Sequence, residues 1–337
     1  MTIASAGAGV LDIRPATSEI TWADRWDHLT ARLGYKRFGH TVEPGLYSIG
    51  SPSADSPVFV TANYTLSFDS LRSALAGVDG YILALDTGGV NVWCAAGKGV
   101  FGTDELVRSV EKAKLREVVA HRRLILPQLG APGVAAHEVK KRCGFKVEYG
   151  PVRAVDLPGY IEAEEATPRM RKITFPLRDR LVLIPVELTQ AAPWVLLMTF
   201  LLWLAGGWLA AAAAVAAAVA GLVLFPALLP FIPFTDFSAK GFLLGLAAAI
   251  ALAGAAARSV HQAQWWSGPG WAVFHMLFIP SVTAFLALNF TGSTTFTSQT
   301  GVRREIKAYV PVMFWMFVMA VALAVVLSMA GIFAGGR

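Results

Sequence analysis

Apolar and polar positions follow two different rules along this chain. As far as about residue 165, short apolar runs alternate with mixed stretches of helical spacing. Val58–Asn63 (VFVTAN) and Tyr81–Asp86 (YILALD) are unbroken apolar runs of strand length, the pattern of strands covered on both faces. Leu66–Ala76 between them is helix-like, and Val90–Cys94 reads as apolar strand resumed after a turn at Asp86-Thr87-Gly88. Thr103 is placed to cap a helix with Asp104 and Glu105 in its first turn. Leu124–Leu129 (LILPQL) predicts a further strand. Pro132 opens a helix running to about Arg142, which Gly144 stops, and Lys146–Tyr149 is a last short strand. Strands alternating with helices predict a mainly parallel, Rossmann-like α/β sheet over residues 51–165, after an N-terminal extension, residues 1–50.

From residue 190 the pattern is almost wholly apolar. Ala191–Thr235 carries no charge. As one helix it would measure about 67 Å at roughly 1.5 Å per residue, over twice the ~30 Å of a bilayer core. It must fold back, and Gly206-Gly207 is the natural turn. Five transmembrane spans result, near 190–206, 208–232, 240–257, 270–290 and 309–333. Residues 190–337 are thus expected to form an all-α membrane domain, joined to the first part by a basic linker, 166–189. Gly241, Gly245 and Ala249 form a small-residue stripe suited to close helix packing. No span carries a row of ionisable groups, which disfavours an ion-coupled transporter. His275 is either a functional group within the membrane or a hydrogen-bonded structural one. The hydroxyl-rich loop Asn289–Gly301 is either a connection or a docking floor.

Composition supports the division. Mean hydropathy is +0.53, high for a soluble chain of 337 residues. No secretory leader is legible in Met1–Pro15. Lys240, Arg303, Arg304 and Lys307 fall on one side of the expected spans, and Arg258 and Arg337 on the other. The count predicts a multi-pass protein of the cytoplasmic membrane, with the α/β domain in the cytoplasm and the C-terminus outside. The net charge of +6 does not point to nucleic acid. Arg169, Arg171, Lys172, Arg178 and Arg180 stand just before the first span, where basic residues set topology and meet membrane lipid.

Ligands of parallel α/β sheets bind beyond the carboxyl ends of the strands. The loops there are Thr61–Tyr64, Asp86–Lys98, Gln128–Val134 and Gly150–Arg153. They offer one ring of candidate contacts: Thr61, Asn63, Tyr64, Asn91, Val92, Trp93, Cys94, Ala95, Ala96, Gly97, Lys98, Gln128, Gly130, Gly133, Val134, Gly150 and Pro151. Cys94 is the chemically distinctive member, because the chain has only one other cysteine, Cys143. Gly97-Lys98-Gly99-Val100-Phe101-Gly102 matches the dinucleotide fingerprint. It follows a later strand rather than the first, with Trp93-Cys94-Ala95-Ala96 intervening. The lysine lacks the following Ser or Thr of a Walker loop. Asp86-Thr87-Gly88 has no second triplet to make an aspartic-protease pair. The six histidines are scattered without zinc-ligand spacing, and two cysteines cannot supply the four thiolates of an iron–sulfur cluster. Cys143, near a helix end, reads as a small buried residue.

Asn91–Lys98 (NVWCAAGK), the following Gly99–Leu106 (GVFGTDEL) and the apolar spans closely resemble the membrane-bound corrinoid protein of microbial mercury methylation. The first half is also similar to the corrinoid domain of the corrinoid iron–sulfur protein, through Val60–Tyr64 (VTANY), Leu126–Val134 (LPQLGAPGV) and Tyr149–Arg153 (YGPVR). This resemblance implies a base-off cobalamin whose cobalt takes the Cys94 thiolate as lower axial ligand. The D-x-H-x-x-G signature of histidine-ligated corrinoid proteins is absent. Asn91–Lys98 would cap the lower corrin face. Trp93 would wall the macrocycle or sit in the core, and Lys98 would pair with a corrin amide or be solvated. The implied activity is a corrinoid-dependent methyltransferase, passing methyl from methyl-Co(III) cobalamin to Hg(II). Implied partners are a methyl-tetrahydrofolate-linked donor and a ferredoxin-like protein with two 4Fe–4S clusters, since this chain has no four-cysteine segment of its own. Two other readings stay open: a membrane-anchored corrinoid carrier serving another acceptor, and a nicotinamide-binding membrane redox subunit.

Overall fold

A computed structural model describes residues 12–36, 38–258, 265–294 and 297–335. Most of Met1–Pro15, the terminal Arg337 and two residues of the Asn289–Gly301 loop, Thr295 and Phe296, lie outside the described residues. The chain divides into an α/β unit, Met1–Ala31 with Tyr35–Thr174, and a helical unit, Arg32–Gly34 with Phe175–Arg337.

The α/β unit is built on a six-stranded sheet: β1 (Ile13–Ala16), β2 (Gly45–Ile49), β3 (Val58–Ala62), β4 (Gly80–Leu85), β5 (Arg123–Leu126) and β6 (Lys146–Tyr149). The spatial order is β1-β2-β4-β3-β5-β6. All neighbours are parallel except β2 and β4. The sheet therefore includes two strands that lie before residue 51. β1 and β2 are too mixed in polarity to stand out, and only their pairing places them.

Among the described residues eight helices accompany the sheet: α1 (Trp22–Arg32), α2 (Thr65–Ala74), α3 (Val92–Lys98), α4 (Thr103–Lys112), α5 (Leu115–Val118), α6 (Ala136–Cys143), α7 (Leu157–Ala163) and α8 (Pro168–Arg171). β3 and β4 are buried along their whole length, as unbroken apolar runs require. Their side chains alternate between two cores. Val58, Val60, Leu83 and Leu85 pack with Ala95, Leu106, Val110 and Val139 from α3, α4 and α6. Phe59, Ile82 and Ala84 pack with Phe68, Leu71, Leu157 and Tyr160 from α2 and α7.

Several boundaries differ from the pattern-based expectation. Val90–Cys94 does not continue as strand. Gly88 and Gly89 take left-handed conformations (φ 61° and 72°) that turn the chain, and Val92–Lys98 is helical. Gly102 rather than Thr103 occupies the N-cap of α4, and the Thr103 hydroxyl instead accepts the Ala135 amide at 2.8 Å. β5 ends at Leu126, because Pro127 offers no amide for pairing, and Gln128–Gly130 forms a 3-10 turn. The helix expected from Pro132 starts at Ala136.

The helical unit contains α9 (Leu177–Leu181), α10 (Ile184–Ala218), a π-helical turn (Val219–Leu224), α11 (Phe225–Leu228), α12 (Phe237–Arg258), α13 (Ser267–Asn289) and α14 (Gln299–Gly335). Among the described residues four helical stretches are long and apolar enough to cross a membrane: Leu177–Leu228, Phe237–Arg258, Ser267–Ser293 and Thr300–Phe333. The first is broken at Gly206 (φ −148°, ψ 18°) and Gly207 (φ 71°, ψ −162°), the dipeptide where a turn was expected. A Cβ on Gly206 would lie 2.2 Å from the Trp271 ring. The Gly241–Gly245 stripe packs α12 on α13: a Cβ at Gly241 would lie 2.7 Å from Ala284 Cα, and at Gly245 2.7 Å from Pro280 Cα. His275 is fully buried, with Nδ1 2.5 Å from the Trp271 carbonyl and Nε2 3.0 Å from that of Leu209. The buried Glu305 carboxylate accepts the Ser238 amide and hydroxyl at 3.0 Å, capping the start of α12.

Candidate functional site

Cys94 stands in the first turn of α3. Asn91 is the N-cap, extended at φ −64° and ψ 159°, and its side-chain oxygen accepts the Cys94 amide at 2.9 Å. The thiol therefore sits on the third helical residue, at the end where the backbone dipole is positive. Gly99 closes the helix in the left-handed conformation (φ 81°). The Val100 and Phe101 amides then fold back onto the Ala95 carbonyl at 3.0 and 3.1 Å, and Phe101 is fully buried. The octapeptide is thus a short capped helix, anchored at its far end by an aromatic ring.

The two faces of α3 differ. Val92, Ala95 and Ala96 face the core. Trp93 and Cys94 are half-buried, and Asn91, Gly97 and Lys98 are exposed. Cys94 is in no disulfide. Val134 and Thr61 are also buried.

The turn leading into α3 is organised by Asn63. This buried side chain accepts the Thr87 amide at 3.0 Å, the Thr87 hydroxyl at 2.9 Å and the Gly89 amide at 3.3 Å. Thr87 also donates to the Val90 carbonyl at 2.7 Å, and the Asp86 amide is held by Glu105 at 3.1 Å. The end of β3 therefore fixes the loop that follows β4. From the other side the 128–134 loop closes on α3. A Cβ on Gly133 would stand 2.2 Å from the Phe101 carbonyl oxygen and 3.0 Å from Ala96 Cα, and one on Gly130 would strike the Phe101 ring at 2.6 Å. The Gln128 amide reaches the Pro151 carbonyl at 3.4 Å. The Tyr149 hydroxyl donates to the Val134 carbonyl at 2.6 Å, and burial raises its pKa, keeping it a donor. Gly150 is buried against Ile125 and donates to the Leu126 carbonyl at 2.8 Å. Tyr64 precedes α2 and bridges to Thr41. The candidate residues thus gather at the carboxyl ends of β3, β4, β5 and β6.

Thr87, Gly89, Phe101 and Glu105 are supports that sequence reasoning did not single out. Gly89 is confined: a Cβ would come within 2.9 Å of Thr41 and 3.0 Å of the Phe38 carbonyl. A Thr-Gly-Gly run after a strand is the available signal, but it names a turn and not its partner Asn63.

His40 braces the same corner, its carbonyl accepting the Thr65 amide at 3.1 Å. Its Nδ1 lies 2.7 Å from Asp27 Oδ1 and its Nε2 2.6 Å from the Tyr35 carbonyl, so both nitrogens donate only in the imidazolium. Burial opposes that charge, but the Asp27 and Tyr35 oxygens outweigh it and the pKa is raised above 6.5. A raised folded-state pKa contributes stability that is complete below the unfolded value and disappears as pH rises through the folded one. The thermal midpoint is expected to fall as pH is raised above 6.5, and His40→Gln is expected to flatten that dependence. An unchanged slope in the variant would remove His40 as its source.

The fingerprint glycines lie between two helices. Gly97 is in the last turn of α3, Gly99 is its C-cap and Gly102 is the N-cap of α4. A dinucleotide site instead sets them between the first strand and its helix. Among the described residues no group of three or more His, Cys, Asp or Glu is gathered to hold a bare metal ion. His28, His40 and His121 are engaged by Asp69, Asp27 and the Ser56 carbonyl. A site with one thiol suits a metal whose remaining positions are filled by its own macrocycle.

Residues 36–160 match the family described as CO dehydrogenase/acetyl-CoA synthase delta subunit. The gamma subunit of the acetyl-CoA decarbonylase/synthase complex of Archaeoglobus fulgidus is 35% identical over 123 residues, covering 36% of this chain and 26% of the relative. The Methanopyrus kandleri gamma subunit is 34% identical over 125 residues, covering 36% and 27%. The corrinoid/iron-sulfur protein large subunit of Moorella thermoacetica is 28% identical over 153 residues, covering 43% and 34%. The chain thus spans about a quarter of the length of the gamma subunits it matches, and the family match falls within its α/β unit.

Proposed function

We propose that the α/β unit binds a corrinoid whose cobalt the Cys94 thiolate would hold, and that the protein is a membrane-embedded methyltransferase acting on Hg(II). The observation that carries this reading is the half-buried Cys94 on a short capped helix, at the carboxyl edge of the sheet in a unit similar in sequence to proteins named for acetyl-CoA synthesis and as a corrinoid/iron-sulfur protein. The NVWCAAGK octapeptide and the apolar helices support the narrower assignment to mercury. Five crossings follow if the break at Gly206-Gly207 is a turn within the bilayer.

Each residue has a task in this reading. Asn91 fixes the start of α3 and hence the position of the thiol. Cys94 Sγ would hold the metal as a thiolate, the form metals bind, so loading with the cofactor would be favoured at higher pH. Gly97, with open space where a Cβ would stand, leaves room for close approach of a flat ligand. Asn63, Thr87, Gly130 and Gly133 hold α3 from both sides. When bound, the corrinoid supplies the methyl group and the cobalt redox chemistry, while the protein supplies ligand, orientation and shielding. A ferredoxin-like partner with two 4Fe–4S clusters and a methyl-tetrahydrofolate-linked donor complete the proposed cycle.

The test is the visible spectrum of the full chain purified under anaerobic conditions, followed by a methylmercury assay with the ferredoxin and a reductant. A corrin spectrum with methylmercury formation is expected. No corrin absorbance would overturn the cofactor. Corrin without methylmercury would leave a membrane-anchored methyl carrier serving another acceptor. Cys143→Ala is expected to leave methyl transfer unchanged and to lower stability by about 1 kcal/mol, since the buried sulfur only packs in the core and donates to the Val139 carbonyl. Lost activity in that variant would reveal a second thiol step.

A further inference from the structure

The first apolar stretch, Leu177–Leu228, ends where it begins. The Arg180 guanidinium near its start donates through Nη1 to the Pro226 and Ala227 carbonyls near its end, at 2.8 and 2.7 Å. The arms on either side of Gly206-Gly207 therefore return the chain to one level. Phe175 and Leu183, which flank Arg180 in sequence, pack with Phe225, Leu229 and Phe290. Arg180 itself is only 6% exposed, and all these residues belong to the helical unit.

A buried arginine needs a counter-charge. Carbonyls accept its protons but carry no net charge. Among the described residues Arg180 forms no ion pair, and its Nε is buried without a hydrogen-bond partner. Nearby carboxylates serve other groups: Glu187 accepts the Ser293 hydroxyl at 2.7 Å, Asp236 pairs with Arg304 at 2.8 Å, and Glu305 holds Ser238. With Nη1 spent on the two carbonyls, the Nε–Nη2 edge is left. That edge is the side of a guanidinium that grips two oxygens of one oxyanion. Lys240 brings a second cation to the same segment, its ammonium donating to the Leu229 carbonyl at 2.7 Å, and it too forms no ion pair among the described residues. Glu187 is the last charge before the uncharged run 191–235, so Arg180 and Lys240 mark the border between charged and apolar chain.

We infer that the Nε–Nη2 edge of Arg180, assisted by Lys240, is a binding site for a phosphate group. A phosphate supplies both the paired acceptors and the negative charge that the buried guanidinium lacks. Where the apolar helices cross a bilayer, this border is the level of the lipid phosphates, so an anionic phospholipid headgroup is one source of the group. Inorganic phosphate is the other source of the same chemistry. Only the lipid source rests on the reading that these helices cross a bilayer. A bound phosphate neutralises the charge that joins the two ends of the stretch, so its occupancy stabilises the helical unit.

The test follows the thermal midpoint of the full chain in a mild non-ionic detergent. Phosphatidylglycerol, a diacylglycerol with the same acyl chains and inorganic phosphate are added separately to wild type and to Arg180→Lys. Lysine keeps a cation for the Pro226 and Ala227 carbonyls but has no two-pronged edge. Phosphatidylglycerol is expected to raise the wild-type midpoint by several degrees and diacylglycerol to leave it unchanged, with most of the rise lost in Arg180→Lys. A rise with inorganic phosphate that the variant also loses supports the site and makes free phosphate its ligand. Equal rises in wild type and variant overturn the inference. Wild type alone also decides: a rise with phosphatidylglycerol no larger than with diacylglycerol, and none with inorganic phosphate, overturns it whether or not the variant folds.

Discussion

Replacing Cys94 with alanine is expected to abolish methyl transfer to Hg(II) and to change the visible spectrum of the corrinoid-loaded protein. Changes to groups that merely support a metal ligand cost about 10–100-fold, so loss of the ligand itself should exceed about 100-fold. The fold should survive. Cys94 is half-buried and outside the core clusters, and alanine is the better helix former, so stability should change by only a few tenths of a kcal/mol. Cys94→Ser separates shape from chemistry. The hydroxyl retains size and hydrogen bonding but not the soft thiolate donor, so its spectrum should resemble that of the alanine variant. Full activity with an unchanged spectrum in either variant would sink the ligand assignment, and a melting curve like wild type's shows that any loss is chemical.

Asn63→Ala is the change expected to cost most in stability. The Asn63 side chain satisfies two backbone amides and one hydroxyl in a buried turn. A buried donor left without its acceptor costs about 1–3 kcal/mol, so the two amides, after partial relaxation, should cost roughly 2–4 kcal/mol, while the Thr87 hydroxyl keeps the Val90 carbonyl. Against a typical domain stability of about 5–15 kcal/mol this is a large share. The loss should appear as a lowered denaturant midpoint, together with weaker corrinoid retention, since the Thr87–Gly89 turn delivers α3. Asn63→Asp keeps the accepting oxygen and should recover much of the stability. If Asn63→Ala melts like wild type, the turn is held by β4 and α3 themselves, and Asn63 is not its organiser.

Legibility in the sequence differed by element. β3 and β4 were legible because both of their faces are buried, which writes an unbroken apolar run. β6 was legible to the residue, its start and stop marked by Gly144 and Gly150. The break at Gly206-Gly207 was legible because a charge-free run too long for one span must turn, and glycine is the residue that can. β1 and β2 were not, since both are mixed in polarity, β1 at the sheet edge and β2 only partly buried between β1 and β4. The helical form of Val92–Lys98 was hidden by its own composition. Val-Trp-Cys suits a strand as well as a helix over so short a span, and what decides is the Asn91 cap together with the turn at Gly88 and Gly89.

The sequence by itself determined the division into an α/β part and an apolar helical part, the loops that line the carboxyl edge, and Cys94 as the reactive candidate. These are properties of periodicity and residue type, which act locally. Only the tertiary structure decided that the thiol rides on a capped helix, that Asn63, just past one strand, holds the turn after the next, and that Gly133 is a contact against Ala96 and Phe101. Those depend on which distant segments meet, and the meeting is set by sheet order and core packing, which no single stretch of chain contains.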